Sequence, residues 1–166
     1  MVVGGGAVAT RKASKLFQAG AKVVVVSPEV LPELEDVSVE VHERPYEYGD
    51  LEGAVLAFAA TDSREVNAAV AREAKAREIR VNVADRPTEG DFAVPSRVRR
   101  GGLQVAVSTG GASPTLARRI RNELEEVFGP EWVGVVEELE AVRRSGGVPD
   151  EDLEGEVSRC LSRLRG

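Results

Sequence analysis

Apolar and polar residues alternate along residues 1–94 in blocks that predict strands separated by helices and loops. Residues 54–60 form a continuous apolar run, which is typical of a parallel strand covered on both faces. Thr61, Asp62 and Ser63 follow this run, and Asp62 or Ser63 is expected to cap the next helix. Strands are predicted at 1–3, 22–26, 37–41, 54–60 and 79–84, and helices at 7–19 and 64–77. This order predicts a doubly wound α/β domain with right-handed crossovers.

The pattern changes after Asp85, where a polar loop leads to a predicted strand at 103–107 and a second glycine-rich turn. Ser113 is a good N-cap and Pro114 a good first helical residue, so a helix is predicted from there to about Val127. Gly129-Pro130 ends that helix, and two more are expected near 131–144 and 150–164. We therefore divide the chain into an α/β domain, a strand-plus-helix segment and a small helical domain, at 1–94, 95–127 and 128–166.

A glycine turn near the start carries the strongest functional signal. Gly4, Gly6 and Ala9 occupy the three small positions of a GxGxxG/A pattern between a strand and a helix. In such a turn the first residue permits the tight bend, the second lets the backbone approach a pyrophosphate, and the third lets helix and strand pack closely. A purely structural turn is the alternative, but the strand that begins at Lys22 completes a βαβ unit. The pattern thus favours a Rossmann-like NAD-binding domain.

Two alternatives exist for the residue that would bind the adenosine ribose in such a site. An acidic residue is expected about 20 residues after the glycines, at the end of the second strand. Here that strand ends in Ser27-Pro28-Glu29, so either Glu29 reaches the ribose or Ser27 and backbone groups do. No arginine follows closely, which favours NAD over NADP. Only three residues precede the glycines, so the first strand is either unusually short or begins upstream of this sequence.

Composition narrows the class of protein. The 166 residues are 42% apolar and 30% charged, which suits one good core with a small appendage. No apolar run approaches the roughly 18 residues of a membrane span, and no secretory signal pattern is present. With a single cysteine (Cys160) and a single histidine (His42), the chain is expected to hold no disulfide and no metal site. A cytoplasmic protein is the simplest interpretation.

Charge is distributed unevenly around the net value of −6. Residues 97–121 contain six arginines and no acid, whereas residues 122–166 contain twelve acids and five basic residues. A basic region in an acidic protein predicts an anionic small molecule or a complementary subunit surface. Nucleic acid is disfavoured because aromatic residues make up only 4% and the rest of the chain would repel phosphates.

Two groups of polar residues could carry chemistry. Asp85 directly follows a buried strand, at the sheet edge where Thr61-Asp62 and Asn82 are also expected. Its carboxylate could accept the proton released when a hydride leaves a substrate, or it could cap a turn or pair with Arg86.

The second group surrounds the second glycine turn, where hydroxyls and a helix start could bind an anion. Arg118 and Arg121 lie one and two turns into that helix and suit carboxylates, or they meet acidic residues of a second subunit. The two interpretations are compatible.

Several motifs in collinear order resemble one family. They are Val3-Gly4-Gly5-Gly6-Ala7-Val8-Ala9-Thr10-Arg11-Lys12, Val26-Ser27-Pro28-Glu29, Ala59-Ala60-Thr61-Asp62 with Val66-Asn67, Val81-Asn82-Val83-Ala84-Asp85-Arg86-Pro87, Phe92-Ala93-Val94-Pro95-Ser96, and Ser108-Thr109-Gly110-Gly111-Ala112-Ser113-Pro114 with Leu116-Ala117-Arg118. Over residues 3–127 the chain resembles precorrin-2 dehydrogenase/sirohydrochlorin ferrochelatase, the dehydrogenase module of siroheme synthases. The family oxidises precorrin-2 to sirohydrochlorin with NAD, and some members then insert ferrous iron.

The resemblance implies roles for individual residues. Asp85 matches the carboxylate proposed for both steps, and residues 95–127 match a segment exchanged between the subunits of a homodimer. Thr109 matches a serine in some relatives. The cofactor would contact Gly4, Gly6, Ala7, Val8, Ser27, Pro28, Glu29, Thr61 and Asp62. The tetrapyrrole would contact Asn82, Ser108, Thr109, Gly110, Ser113 and Arg118. A non-enzymatic NAD-sensing module and a dimerisation scaffold with a vestigial site are the alternatives.

Overall fold

A parallel five-stranded sheet organises the first part of the chain in this computed structural model, which describes residues 1–34 and 36–164. Its strands are β1 (Val2–Val3), β2 (Val24–Ser27), β3 (Glu40–Glu43), β4 (Leu56–Ala59) and β5 (Arg80–Val83). The spatial order is β3-β2-β1-β4-β5, so β1 pairs with β2 on one side and β4 on the other. Helices α1 (Ala7–Gln18) and α2 (Arg64–Ala76) complete the unit, which extends from Met1 to Val94.

Alternation along the strands sorts their side chains onto two faces. Val2 and Phe58 pack with Ala9 and Ala13 of α1 on one face. The opposite face contributes Val3, Ala57, Ala59, Val81 and Val83, which pack with Leu51 and with Val70 and Ala74 of α2. Small residues on both helices let them approach the sheet closely, and burial of apolar surface on both faces stabilises the layer.

The sheet confirms the predicted fold class and corrects some boundaries. The third strand was predicted at 37–41 but forms at Glu40–Glu43, because pairing with β2 matches Val26 to His42 and Ser27 to Glu43. His42 therefore lies within a strand and not after it, and its Nε2 lies 2.9 Å from Oε1 of Glu40. Backbone pairing, and not the local apolar run, decides where this strand begins.

The second unit begins at Pro95 with an antiparallel hairpin. The hairpin is formed by β6 (Ser96–Arg100) and β7 (Leu103–Val107). Three helices follow it, α3 (Pro114–Val127), α4 (Trp132–Ser145) and α5 (Glu151–Ser162). The sequence pattern missed β6, since its arginines hide the alternation that places Val98 on the buried side. Ser113 caps α3 as predicted and accepts a hydrogen bond from the Leu116 N–H.

Two contacts stabilise the second unit. Arg100 donates to the carbonyl oxygens of Phe128 (2.6 Å) and Glu125 (2.9 Å), so its cation satisfies the C-terminal end of α3. Cys160 is buried with Trp132 and Val135, and Phe128 packs beside them, so these residues form the core between the C-terminal helices. No helix in the described ranges is both long and apolar enough to cross a membrane.

A buried carboxylate ties α2 to the loop after β3. Glu73 is fully buried and accepts hydrogen bonds from the Tyr46 hydroxyl, the Gly49 N–H (3.0 Å) and Arg77 Nε (2.7 Å). Burial raises the pKa of Glu73, but the three donors outweigh it and hold the pKa below its ordinary value. No pattern in the sequence marks Glu73 as buried, because an acid within a helix ordinarily faces solvent.

We expect Glu73→Ala to lower the free energy of unfolding by about 3 kcal/mol at neutral pH, since Arg77 and Tyr46 lose their buried acceptor. Because folding lowers this pKa, the stabilisation is complete above the ordinary value of 4.5 and is lost as the pH falls through the native value. Urea unfolding at several pH values checks both effects, with exposed Glu52→Ala as the control. Equal losses in the two variants would contradict the prediction.

Candidate functional site

A cavity of about 530 Å³ opens at the carboxyl ends of β1, β2 and β4. It lies where the strand order reverses around β1, the usual ligand position in an open α/β sheet. Residues lining it include Gly4, Gly5, Gly6, Ser27, Pro28, Glu29, Pro45, Tyr46, Thr61, Asp62 and Ser63. None of the described residues that line the cavity is a lysine or an arginine.

The three glycines of the first turn have different reasons to lack a side chain. Gly4 has a φ of 122°, and a Cβ there would lie 2.4 Å from the Ala60 carbonyl oxygen. A Cβ on Gly5 would lie 1.9 Å from the Glu29 carbonyl oxygen, so this residue is required although the motif leaves its position free. A Cβ on Gly6 would meet no protein atom within 4 Å. Gly4 and Gly5 are therefore required by the fold, whereas the described protein atoms leave room for a side chain at Gly6.

No side chain among the described residues caps the N-terminus of helix α1. Gly6 is its N-cap, and no acid lies in its first turn. Its first N–H groups thus remain available to an anion at the positive end of the helix. Ala7 and Val8 are the first two helical residues and are exposed, whereas Ala9 is buried against the sheet. The structure therefore offers Ala7 and Val8 through their backbone N–H groups and not as part of the cavity lining.

The two candidate ribose ligands at the end of β2, Ser27 and Glu29, differ in their hydrogen bonding. The Ser27 hydroxyl donates to the Glu29 carbonyl oxygen at 2.6 Å and is buried. The Leu31 N–H donates to the Gly5 carbonyl oxygen at 3.0 Å, so this loop is fastened to the glycine turn. Glu29 is exposed and lines the cavity. Among the described residues none bonds to the Glu29 carboxylate, so of the two side chains that of Glu29 is available to a ligand.

Asn67 joins the cavity to Asp85. Its fully buried amide accepts from the Thr61 N–H at 3.1 Å and from the Thr61 hydroxyl at 2.9 Å. The amide nitrogen donates to the Thr61 carbonyl oxygen at 3.0 Å and to Asp85 Oδ1 at 2.9 Å. The ends of β4 and β5 are thereby held together through one side chain. Asn67 belongs to one of the family motifs, but its sequence position did not predict a site residue.

The Asp85 carboxylate is 35% exposed and has two donors from α2. Asn67 binds Oδ1, and Arg64 Nη1 lies 3.2 Å from Oδ2. Arg64 also donates to the Glu89 carboxylate. Nη1 of Arg86 lies 3.6 Å from Oε1 of the same Glu89. The suggested ion pair between Asp85 and Arg86 is therefore replaced by one with Arg64, since the Pro87–Glu89 turn draws Arg86 to Glu89.

Asn82 forms its side-chain hydrogen bonds within the protein. Its side chain is buried, accepting from Lys12 Nζ at 2.7 Å and donating to the Phe92 carbonyl oxygen at 2.8 Å. Lys12 also lies over the Phe58 ring, and burial, followed by repulsion from Arg11 and Lys15, lowers its pKa. The expected substrate contact of Asn82 is not presented in this structure, where both ends of its amide are used inside the protein.

Within the second unit, the hydroxyls of the second glycine turn organise the turn itself. Ser108 and Thr109 accept from the N–H groups of Gly110 (3.2 Å) and Ser113 (3.0 Å). Each of these hydroxyls keeps its own proton for an acceptor. Arg118 is exposed on the first turns of α3, whereas Arg121 pairs with Glu125. Arg118 and the adjacent Arg119 are thus exposed cations of α3.

Comparison with known proteins assigns the family. Residues 1–96 match the family described as "Putative NAD(P)-binding", and residues 100–126 match "Sirohaem biosynthesis protein central". The chain belongs to this NAD(P)-binding family. The two matches in this order confirm the resemblance inferred from the motifs, and the Rossmann-like domain of the NAD(P)-binding family accounts for the glycine turn at the cavity.

The matched relatives are siroheme synthases. The chain is 53% identical to that of Methylobacillus flagellatus over 132 residues, which is 77% of this chain and 28% of the relative. It is 40% identical to that of Thioalkalivibrio sulfidiphilus over 159 residues, which is 92% of this chain and 32% of the relative. The chain thus spans about a third or less of these proteins. A solved structure of SirC, precorrin-2 dehydrogenase, matches with a TM-score of 0.75 and 27% identity, over 98% of this chain and 85% of the other.

Proposed function

We propose that this chain catalyses the NAD-dependent oxidation of precorrin-2 to sirohydrochlorin. The observation that carries the proposal is the Asn67 side chain, which joins cavity-lining Thr61 to the accessible carboxylate of Asp85. A nucleotide cavity and a candidate base are thereby fixed next to each other on adjacent strands. A module that only senses NAD would have no use for an exposed, oriented carboxylate at this position.

The cavity fits a dinucleotide in volume and in the chemistry of its walls. We propose that the α1 N-terminus, including the Ala7 and Val8 N–H groups, holds the pyrophosphate beside Gly4 and Gly6. The remaining cofactor contacts would be Ser27, Pro28, Glu29, Thr61 and Asp62, all of which line the cavity. Bound NAD supplies the acceptor for a hydride.

Loss of a hydride from the substrate must be accompanied by loss of a proton. Asp85 accepts that proton, since its carboxylate is oriented by Asn67 and Arg64 and remains accessible. The donors from α2 come from a packed helix, so the carboxylate is held in place before the substrate arrives. The same carboxylate is the candidate group for ferrous iron insertion, with iron as substrate.

Substrate recognition and assembly complete the proposal. Precorrin-2 carries several carboxylates, which suit the exposed Arg118 and the hydroxyls of Ser108, Thr109 and Ser113 around Gly110. We propose a cytoplasmic homodimer in which residues 95–127 are exchanged. The two-stranded sheet of β6 and β7 supports this, because in the described part of the chain each strand has one edge that pairs with no other strand.

The decisive experiment supplies enzymatically generated precorrin-2 and NAD to the purified chain, and follows NADH absorbance together with the sirohydrochlorin spectrum. Both products should form in equal amounts. NAD binding without turnover would overturn the dehydrogenase proposal and favour the sensing module.

The ribose contact makes a separate prediction. Glu29→Ala should weaken NAD binding about tenfold and leave NADP binding nearly unchanged, because the variant loses a ribose acceptor and also a charge that repels a 2′-phosphate. Calorimetric titration with both cofactors measures this, and Glu33→Ala on the neighbouring turn is the control. Unchanged NAD affinity would instead assign the ribose to backbone groups.

A further inference from the structure

The loop after β3 is fastened at two points by charged hydrogen bonds. The fully buried Glu73 carboxylate accepts from the Tyr46 hydroxyl and from the Gly49 N–H at 3.0 Å. Both Nη atoms of Arg44 donate to the Asp50 carboxylate, at 2.8 and 2.6 Å. Burial of a carboxylate is costly unless donors surround it, so the contacts of Glu73 fix the loop residues that supply those donors. Tyr46 is the side chain that this arrangement positions most directly.

Tyr46 places an aromatic ring between the core and the cavity. It is half-buried, packs against the core cluster that contains Val3 and Val70, and lines the cavity at the carboxyl ends of the strands. Among the described residues that line this cavity, Tyr46 is the only aromatic one. Because its hydroxyl proton is donated to Glu73, Tyr46 offers the cavity its ring and not a hydrogen-bond donor.

We infer that the Tyr46 ring receives the adenine base of NAD, which makes Tyr46 a specificity-determining residue for the cofactor. The inference rests on the cofactor placement in the proposed function. A nucleotide base has flat apolar faces, which pack well against aromatic and aliphatic side chains. The loops after β2 and β3 provide such a wall, and its lining residues are Pro28, Val30, Leu31, Pro45 and Tyr46.

The order of the strands assigns the adenine, and not the nicotinamide, to this wall. Strands β2 and β3 lie on one side of β1, whereas β4 and β5 lie on the other. Asp85 follows β5, so the nicotinamide that accepts the hydride belongs on the side of β4 and β5. With the pyrophosphate at the glycine turn after β1, the adenine extends toward β2 and β3 and reaches Tyr46.

Two substitutions at Tyr46 separate the ring from its hydroxyl. Tyr46→Leu and Tyr46→Phe both remove the donor to Glu73, so both should lose stability, but only Tyr46→Leu removes the ring. We expect Tyr46→Leu to weaken the binding of NAD and of ADP-ribose about tenfold, because stacking on the ring is lost. Tyr46→Phe should keep both affinities within about twofold of the wild type. Nicotinamide mononucleotide, which has no adenine, should bind to all three proteins equally.

Calorimetric titration with the three ligands measures these affinities, at a temperature at which thermal unfolding shows each variant to be folded. Tyr48→Leu is the matched control. Tyr48 is an exposed aromatic residue of the same loop, lies 5.7 Å from the Arg77 guanidinium carbon, and is not among the described residues that line the cavity. This variant should bind NAD and ADP-ribose as the wild type does.

Nuclear Overhauser contacts between the adenine protons of bound NAD and the Tyr46 ring test the inference in the unmodified chain. Such contacts, with weaker binding in Tyr46→Leu and its rescue in Tyr46→Phe, support the inference. It would be overturned by contacts of the ring with nicotinamide protons, by failure of the wild type to bind ADP-ribose, or by equal affinities in the Leu and Phe variants. An equal loss of nicotinamide mononucleotide binding in Tyr46→Leu would also overturn it. If the ligand pattern is as expected but precorrin-2 yields no NADH, the proposed oxidation alone is refuted.

Discussion

Replacing Asp85 with asparagine should slow precorrin-2 oxidation by about 10²–10⁴-fold while NAD affinity changes less than about twofold. The amide has nearly the same shape, so contacts with Asn67 and the end of β4 can persist, but it cannot accept a proton. Because Asp85 does not line the cavity, cofactor binding should survive. Steady-state NADH formation and calorimetric NAD titration measure the two quantities on the same preparation.

Glu65→Gln is a suitable control for Asp85→Asn. Glu65 is an exposed acid in the first turn of α2, near Asp85 in the fold through Arg64, and its carboxylate accepts from the Ser63 hydroxyl and not from a partner of Asp85. It should retain wild-type turnover. Full activity of Asp85→Asn would show that another group or water takes the proton, whereas parallel loss of NAD binding would make Asp85 a structural residue.

Alanine at Gly5 and alanine at Gly6 should separate folding from cofactor binding. At Gly5 the new Cβ would lie 1.9 Å from a backbone oxygen of Glu29, so the glycine turn and the β2 loop must move apart. We expect a loss of roughly 3 kcal/mol in the free energy of unfolding, together with loss of NAD binding. At Gly6 the Cβ meets no protein atom, so stability should fall by at most about 1 kcal/mol, the cost of alanine at an N-cap.

NAD binding by Gly6→Ala should still weaken at least tenfold, because the methyl group occupies space that the pyrophosphate needs against the backbone. Thermal unfolding and calorimetric titration distinguish the two variants. If Gly6→Ala binds NAD as well as the wild type, the cofactor does not approach this turn. If Gly5→Ala is as stable as Gly6→Ala, the contact with Glu29 does not constrain the fold.

Local signals in the sequence were sufficient for the fold class and for most of the elements. The glycine turn at Gly4 and Gly6, the apolar run of β4 and the Ser113-Pro114 start of α3 each depend on neighbouring residues. Helix caps and backbone turns are short-range effects, so their residues can be recognised without knowing the rest of the chain. The position of Asp85 directly after a buried strand belongs to the same class.

Contacts between residues that are distant in the sequence could be identified only from the tertiary structure. The sequence could not show that Asp85 binds Arg64 and Asn67, which lie 21 and 18 positions earlier, and not its neighbour Arg86. Nor could it show that Glu73 would be buried under Tyr46, or that Gly5 would face the Glu29 carbonyl. β6 was missed for the same reason, since its arginines become part of a strand only through pairing with β7.

Short-range patterns in the chain therefore specified the Rossmann-like order of elements, the glycine turn and the position of the candidate base after β5. Long-range packing was needed to identify the side chains that hold that base and the potential ligands already used inside the protein, as Ser27 and Asn82 are. This difference arises because element identity follows from local backbone preferences and hydrophobic period. Side-chain partners instead depend on which strand and helix ends the fold brings within hydrogen-bonding distance.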